Sequence, residues 1–243
     1  MLTEGIFARG IYTEKIFANE IFMRDLPPRN IDGVIFDLDG VIVSTDEYHY
    51  RAWKQLAMDE NIYFDRKTNE RLRGVSRMQC LEIVLEASER NYSEEEKAKL
   101  AETKNNYYKE YLNQLNDGDI LPGVMELLKG LKDGGVKIAV GSSSRNCNFI
   151  LEKIGLTGFF DAIAGGDDIK KSKPNPEVFL LAAKKLGLPA DRCLVIEDAK
   201  AGVTAALNAG MKVLAVGSAS NDKRATVRAY DLSNVTPEEL YNI

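Results

Sequence analysis

Five short runs of apolar and β-branched residues recur along the chain, and a helical segment precedes each of the last four. The runs are GVIFDL (33–38), VKIAVG (136–141), FDAIAG (160–165), CLVIED (193–198) and MKVLAVG (211–217). Continuous apolar character over so few residues is typical of strands that are buried on both faces. The helical segments each end on glycine, a common helix stop; they span 122–135, 145–155, 176–187 and 200–210. This alternation predicts an α/β fold, a Rossmann-like parallel sheet core with helices on both faces.

Residues 46–118 interrupt the alternation, because they contain no convincing strand. The segment DEYHYRAWKQLAMDE (46–60) has the pattern of a helix with Trp53 on its apolar side. Two capping boxes, Ser76-x-x-Gln79 and Ser93-x-x-Glu96, predict two further helix starts. We therefore expect an all-helical cap inserted after the first strand, where it can act as a lid over the ligand. The predicted division is a catalytic core of residues 31–45 and 119–243, with a cap of residues 46–118.

The first 30 residues do not fit this scheme. An apolar pair recurs there every five residues, a period that gives neither a helical stripe nor an alternating strand. Charged residues interrupt any signal-peptide core. We interpret residues 1–30 as an N-terminal extension of unknown role or a cloning artefact, with Met23 as an alternative start.

Composition limits the class of partner and the compartment. The net charge of −5 argues against nucleic acid, which selects a basic face. The three cysteines, Cys80, Cys147 and Cys193, form no CxxC pair, which favours free thiols in a reducing compartment. No apolar run approaches the roughly 18 residues that span a membrane. We expect a soluble, cytoplasmic monomer that acts on small molecules, with no nucleic-acid or membrane partner.

Acidic side chains follow two of the predicted strands. Asp37 and Asp39 follow the first strand, and Glu197 and Asp198 end the fourth. Parallel strands deliver such residues to one edge of the sheet, so four carboxylates should converge there. Their mutual repulsion requires protonation or a cation. A set of oxygen ligands without histidine or cysteine indicates Mg²⁺.

The same edge should also bind phosphate. Ser142 to Ser144 follow the second strand, and Lys173 precedes Pro174 after the third. A magnesium ion, a lysine and hydroxyl groups together make a phosphate site. Asp37, fixed at its strand end, is the better candidate for a nucleophile that attacks phosphorus. Asp39, two residues further, can protonate a leaving oxygen or deprotonate an incoming hydroxyl.

These motifs in this order resemble those of the haloacid dehalogenase superfamily, over residues 31 to about 232. The matching positions are DLDG (37–40), Ser142, Lys173 and the pair Glu197-Asp198. The resemblance implies an aspartyl-phosphate enzyme with Asp37 as nucleophile and Asp39 as acid/base. It implies Mg²⁺ ligands from Asp37, Asp198 and the backbone carbonyl of Asp39, with Glu197 supporting or joining them. Ser142 and Lys173 would hold the transferring phosphoryl group. True dehalogenases lack the second aspartate, so Asp39 argues against that branch.

Within the superfamily, the insert resembles that of the β-phosphoglucomutases. The resemblance rests on TDEYHYRAW (45–53), NERLRGVSR (69–77), KNNYY (104–108) and SSSRN (142–146). It departs in two places: Arg73 stands where lysine is frequent, and Ser143 where alanine is common. The implied phosphate- and substrate-binding residues are Thr45, His49, Trp53, Arg73, Gly74, Val75, Ser76, Arg77, Lys104, Ser142, Ser143, Ser144, Arg145, Asn146 and Lys173. His49 would help to position Asp39, whereas Trp53 also fits the apolar core of the lid.

Three functions remain open from the sequence. A mutase that moves a phosphoryl group between two hexose oxygens must hold both phosphates of a sugar bisphosphate. Arg73 and Arg77 would clamp the second phosphate, beside the free N–H groups of the helix that starts at Ser76. A sugar-phosphate phosphatase of the same fold needs no such clamp, and the arginines would then be a solvated face. A catalytically silent phosphate-binding protein is the third alternative.

Overall fold

One parallel sheet organises the protein, for which a computed structural model describes residues 29–72 and 75–243. Its strands are β1 (Gly33–Phe36), β2 (Lys137–Gly141), β3 (Ala162–Ala164), β4 (Cys193–Glu197), β5 (Lys212–Ala215) and β6 (Val227–Arg228). They lie in the order β3-β2-β1-β4-β5-β6. The five predicted runs form β1 to β5, so the predicted Rossmann-like α/β fold is confirmed. The sequence does not predict β6, because a strand of two residues carries no periodicity.

Helices cover both faces of the sheet and form the inserted segment. The described helices are α1 (Asp46–Asp59), α2 (Arg66–Glu70), α3 (Arg77–Leu85), α4 (Glu94–Leu112), α5 (Val124–Asp133), α6 (Cys147–Lys153), α7 (Glu177–Leu186), α8 (Lys200–Asn208) and α9 (Pro237–Tyr241). Three single turns of 3₁₀ helix occupy Asp117–Asp119, Ala190–Arg192 and Gly217–Ala219. Within the described residues, no helix is both long and apolar enough to cross a membrane.

Alternate residues of the central strand pack into two separate apolar clusters. Val34 and Phe36 join a cluster that contains residues of α5 and α6, whereas Ile35 joins a cluster with residues of α7 and α8. All three side chains are fully buried, which stabilises the fold by about 1.5–3 kcal/mol for each. Burial on both faces explains why these strands read as continuous apolar runs.

The inserted segment has an apolar cluster of its own. Trp53 and Leu56 of α1 pack there with Leu81 of α3 and Ala101 of α4. Both predicted capping boxes are present: Ser76 caps α3 through Gln79, and Ser93 caps α4 through Glu96. A separate cluster supports the proposed division into core and cap, whose boundaries remain a prediction.

The two connections between the sheet and the inserted segment lie side by side. Val43 forms a bridge with Ile120, and the Leu121 N–H donates to the Ile42 carbonyl at 2.9 Å. The predicted N-terminal extension lies outside the described residues except for Arg29 and Asn30, and Arg73 and Gly74 lie outside them as well. Cysteines 80, 147 and 193 are buried free thiols, as predicted.

Candidate active site

Strand β1 occupies the centre of the sheet, and the residue that follows it lies between the loops after β2 and β4. Phe36, the last residue of β1, pairs with Val140 of β2 and Ile196 of β4. The later strands lie on both sides of β1, with β2 and β3 on one side and β4 to β6 on the other. A crevice therefore opens beyond the carboxyl end of β1, where open α/β sheets bind ligands. The Asp37 N–H donates to the Ile196 carbonyl at 2.9 Å. This bond fixes the position of Asp37 at the crevice.

Lys173 connects two of the predicted acidic residues. Its Nζ donates to Asp37 Oδ1 at 2.6 Å and to Glu197 Oε2 at 2.7 Å. The side chains of Asp37, Lys173 and Glu197 are only 10%, 11% and 1% exposed, so solvent screens these ion pairs weakly. Burial by itself lowers the pKa of Lys173, but the two carboxylates outweigh it and raise the pKa above its usual range. Lys173 is therefore a fixed cation between two carboxylates.

Three of the four predicted carboxylates form a compact group. One oxygen each from Asp37, Glu197 and Asp198 lies within 4.8 Å of the others. Burial and then the charge of Asp37 raise the pKa of Glu197 to about 7. Burial, followed by the charges of Asp37 and Glu197, raises the pKa of Asp198 to about 8. These carboxyl groups do not readily ionise together, because their negative charges repel one another. A group of oxygen ligands of this kind is suited to binding a hard divalent cation.

Two glycines allow the backbone to approach this acidic group. Gly40 has a φ of +83°, and a Cβ there would contact the carboxylate of Asp198. A Cβ on Gly202, in α8, would contact the carboxylate of Glu197. Any larger residue at either position would displace an acidic side chain. The role of Gly202 is not predicted from the sequence, because it depends on packing between α8 and the end of β4.

Asp39 lines the same cleft as the other three carboxylates, but its oxygens are not part of the compact acidic group. The chain turns at Gly40, and the Asp39 side chain bonds to Thr45 instead. Asp39 Oδ1 accepts from the Thr45 N–H at 2.7 Å, and Oδ2 accepts from the Thr45 hydroxyl at 2.6 Å. Burial raises the pKa of Asp39 to about 6, although both bonds from Thr45 oppose the shift. Asp39 can therefore exchange a proton near neutral pH.

The serine loop, residues 142–146, lines the crevice beside Lys173. Ser142 is buried, and its Oγ accepts from the Ser144 N–H at 3.1 Å. The Ser144 Oγ in turn accepts from the Asn146 N–H at 3.2 Å. The Lys173 N–H donates to the Ser143 Oγ at 3.5 Å. These bonds fold the loop into a compact turn of hydroxyl and amide groups.

The cap contributes further residues to the cleft, including the cation Arg77. Val75, Ser76 and Arg77 line the same cleft as Asp37. Arg77 and Arg145 line the same cleft, and burial and then the charge of Arg145 lower the pKa of Arg77. Helix α3 begins at Arg77, and its first N–H groups also favour an anion. Arg73 and Gly74, predicted to join this group, lie outside the described residues.

Lys104 is a buried cation in the cap, with an exposed fraction of 2%. Its Nζ lies 2.8 Å from His49 Nδ1 and 4.8 Å from the centre of the Trp53 ring. Burial and then the charge of Arg77 lower the pKa of Lys104 to about 7. Burial, followed by Lys104 and Arg77, lowers the pKa of His49 well below its usual value. Trp53 both packs in the cap cluster and lines the cleft.

His49 is linked to Asp39 through an intermediary that the sequence does not reveal. Tyr108 stacks on the His49 ring at 4.0 Å and donates its hydroxyl to the Thr45 Oγ at 2.8 Å. Asn105, also not predicted, accepts from the Asn146 amide at 3.1 Å and so connects the cap to the serine loop. Both residues lie in the KNNYY segment, but only the position of Lys104 suggested a role there.

All the described candidate residues, except Thr45, line one cleft of about 760 Å³ between the sheet edge and the cap. The compact acidic group and Lys173 lie on the sheet side, and the Val75–Arg77 segment and Lys104 lie on the cap side. A cleft of this size accommodates a small phosphorylated ligand. Its charges can bind a divalent cation on one side and an anion on the other.

Comparison with known proteins agrees with this arrangement. The β-phosphoglucomutase of Bacillus subtilis (strain 168) is 41% identical over 210 residues, which cover 86% of this chain and 93% of that protein. A phosphorylated carbohydrates phosphatase of Thermotoga maritima is 31% identical over 217 residues, covering 88% of this chain and 98% of that protein. The crystal structure of a β-phosphoglucomutase from Clostridium difficile is 42% identical and superposes with a TM-score of 0.80, covering 86% of this chain and 95% of that one.

A family model also matches most of the chain. The model describes haloacid dehalogenase-like hydrolases, and it matches residues 34–216. That span includes Asp37, Lys173 and Asp198, together with the whole inserted segment. The chain is therefore an enzyme that belongs to the haloacid dehalogenase-like hydrolase family, as its sequence motifs indicate.

Proposed function

We propose that this enzyme is a β-phosphoglucomutase, which interconverts β-D-glucose 1-phosphate and glucose 6-phosphate through glucose 1,6-bisphosphate. One observation carries the proposal: a single cleft holds the acidic group with Lys173 and, besides them, two further cations, Arg77 of the cap and Arg145 of the serine loop. An enzyme that binds a sugar bisphosphate needs two such anion sites. The identity of 41% to the Bacillus subtilis mutase supports the same reading.

The metal site would hold Mg²⁺. The carboxylates of Asp37, Glu197 and Asp198 would bind it, joined by the backbone carbonyl of Asp39, and their spacing fits that role. When bound, the ion would offset the negative charge of the carboxylates and of the transferring phosphoryl group. The raised pKa values of Glu197 and Asp198 support this assignment, because both carboxyl groups lack sufficient positive charge from the protein alone.

Asp37 would be the nucleophile. Lys173 binds one of its oxygens, Oδ1, and leaves the other free of this bond. The other oxygen would attack phosphorus and form an aspartyl phosphate, which divides one difficult transfer into two steps. Lys173 and the buried Ser142 would hold the oxygens of the transferring phosphoryl group.

Asp39 would move the proton. When the sugar hydroxyl attacks the aspartyl phosphate, the Asp39 carboxylate would accept its proton. When the bisphosphate returns its other phosphoryl group to Asp37, Asp39 would give the proton to the departing oxygen. A positioned acid/base contributes about 10²–10⁴-fold to such a step. A pKa of about 6 suits both directions near neutral pH.

The cap would bind the distal phosphate and exclude water. Arg73, Gly74, Val75, Ser76 and Arg77 on the cap would bind this phosphate together with Ser143, Ser144, Arg145 and Asn146 of the serine loop. Thr45, His49 and Lys104 would couple the position of Asp39 to the state of the cap through Tyr108. Exclusion of water would protect the aspartyl phosphate from hydrolysis.

A phosphatase that acts on a sugar phosphate is the second candidate, because the Thermotoga maritima phosphatase shares 31% identity over nearly its whole length. The products separate the two. The enzyme is supplied with β-glucose 1-phosphate, Mg²⁺ and a trace of glucose 1,6-bisphosphate, and glucose 6-phosphate and inorganic phosphate are both followed. Glucose 6-phosphate without inorganic phosphate supports the mutase. Inorganic phosphate as the main product supports the phosphatase. The absence of both products would support a catalytically silent binding protein.

A further inference from the structure

Asp167 lies beside Arg145 of the proposed distal phosphate site, in a loop that neighbouring residues hold in place. The Gly165 N–H donates to the Asp168 Oδ2 at 3.0 Å, and the Lys185 Nζ donates to the same oxygen at 2.9 Å. The first bond closes a tight turn directly after β3, and the second connects the turn to α7. Asp168 thus has a structural role in this turn, and the side chain of Asp167 is 74% exposed.

The turn packs closely against the serine loop. The Gly166 N–H donates to the Ser144 carbonyl at 2.9 Å, and a Cβ on Gly166 would contact the backbone of Ser143, Ser144 and Arg145. Only glycine allows this approach without a shift. The next residue, Asp167, is consequently held beside Arg145, with 3.7 Å between Asp167 Oδ1 and Arg145 Nε.

Arg77 of the cap belongs to the same charge cluster. Arg77 lines the same cleft as Arg145. Burial and then the charge of Arg145 lower the pKa of Arg77, and the charge of Asp167 opposes the shift. Two guanidinium groups therefore line the cleft where the distal phosphate would bind, and the carboxylate of Asp167 lies beside one of them. Arg145 and Asp167 are 69% and 74% exposed, so their pair is weak and can exchange with a ligand.

We propose that Asp167 determines affinity at the distal site: its carboxylate is an internal counter-ion of Arg145 that the distal phosphate of a sugar bisphosphate must displace. This inference rests on the proposed function and deepens it. In a mutase the bisphosphate has to leave one orientation and bind again in the other. A carboxylate that competes for Arg145 weakens binding of the distal phosphate and so favours this reorientation.

The test compares Asp167→Asn with the native enzyme. Glucose 1,6-bisphosphate is the probe for both phosphate sites, and p-nitrophenyl phosphate, hydrolysed with Mg²⁺, is the probe for the proximal site alone. Loss of an exposed charge pair changes affinity by about two- to fivefold. We expect the KM for the bisphosphate to fall by that factor in Asp167→Asn, with kcat equal or lower and the KM for p-nitrophenyl phosphate unchanged. The fall should shrink at high salt, which screens exposed charges.

Three control variants define the result. Asp167→Glu keeps the charge and should keep the native KM, and Asp167→Ala should repeat the effect of Asp167→Asn if that variant folds poorly. Asp191→Asn makes the same change in net charge. Asp191 lies just before β4, at the end of the strands away from the cleft, so this variant should have no effect on the KM. A bisphosphate KM that rises or stays constant in Asp167→Asn overturns the inference, as does an equal fall in Asp191→Asn.

The inference and the proposed function can fail separately. If the enzyme hydrolyses the bisphosphate instead of isomerising glucose phosphates, the mutase assignment fails, while the KM for bisphosphate hydrolysis still reports the effect of Asp167. If isomerisation is observed and the KM does not fall, the role of Asp167 alone is wrong.

Discussion

Both carboxylate oxygens of Asp39 are bonded to Thr45, one through the backbone N–H and one through the hydroxyl. Thr45 is the residue before α1, at one of the two connections between sheet and cap. Its hydroxyl also accepts from Tyr108 of α4. The proposed acid/base is therefore held by the same residue that leads the chain into the cap.

Thr45→Val tests this link, because valine keeps the shape and removes the hydroxyl. We expect kcat for isomerisation to fall about 10- to 100-fold, as one hydrogen bond to a charged group contributes about 1.5–3 kcal/mol. Thr45→Ser, which keeps the hydroxyl, should retain most of the activity. Equal activity in native enzyme and Thr45→Val would mean that this bond does not position Asp39.

Mg²⁺ should stabilise the protein more at high pH than at low pH. The pKa values of Glu197 and Asp198 are raised to about 7 and about 8. Because these pKa values are higher in the folded than in the unfolded chain, the folded state binds more protons. Its stability is therefore lost as pH rises from about 4 through about 8. Bound Mg²⁺ would offset the loss and displace the protons.

Thermal unfolding with and without saturating Mg²⁺ measures this effect. We expect the midpoint to rise by about 5 °C at about pH 8 and by less at about pH 5. Asp198→Asn should reduce the rise at high pH. An equal rise at both pH values would show that the ion does not bind at the acidic group.

Lys104→Met should stabilise the protein at low pH. Folding lowers the pKa of Lys104 from its ordinary 10.5 to about 7. The unfolded chain therefore binds more protons between these values, and the contribution of Lys104 to stability improves as pH rises. The gain from Lys104→Met should be about 1–3 kcal/mol larger at about pH 6 than at about pH 9. Denaturant unfolding of both proteins measures the difference, and a gain that does not depend on pH would contradict the buried charge.

Arg77→Ala should impair bisphosphate-dependent isomerisation far more than hydrolysis of p-nitrophenyl phosphate. Loss of a charged hydrogen bond to phosphate corresponds to about 10- to 100-fold in kcat/KM. Arg77→Lys should restore part of the activity, since it keeps the charge without the fork geometry. Arg71→Ala removes an exposed arginine that pairs with Glu86 elsewhere in the cap, and it should leave both reactions unchanged. Equal losses in both reactions for Arg77→Ala would favour a phosphatase.

The sheet and its acidic edge could be predicted because their signals are local. Each strand from β1 to β5 is a short apolar run, and Asp37 and Glu197-Asp198 stand at strand ends, where parallel topology brings them together. The capping boxes at Ser76 and Ser93 are likewise complete within four residues. Such features need no knowledge of distant contacts.

Other parts of the site depend on contacts between residues far apart in the chain. Asn105 meets Asn146 across the cleft, and Gly202 is required only because Glu197 packs against it. The two bonds that the Asp39 carboxylate accepts from Thr45 likewise depend on the turn of the chain at Gly40. No periodicity or spacing in the sequence encodes these relationships.

The most direct test of the account is chemical detection of a phosphoryl group on Asp37. Native enzyme and Asp37→Asn are each incubated with glucose 1,6-bisphosphate and Mg²⁺, and trapped phosphoryl adducts are located by peptide mass spectrometry. We expect an adduct on the peptide that contains Asp37 in the native enzyme, and neither adduct nor isomerisation in Asp37→Asn. Isomerisation by Asp37→Asn, or a phosphoryl group on a different residue of the native enzyme, would contradict the account.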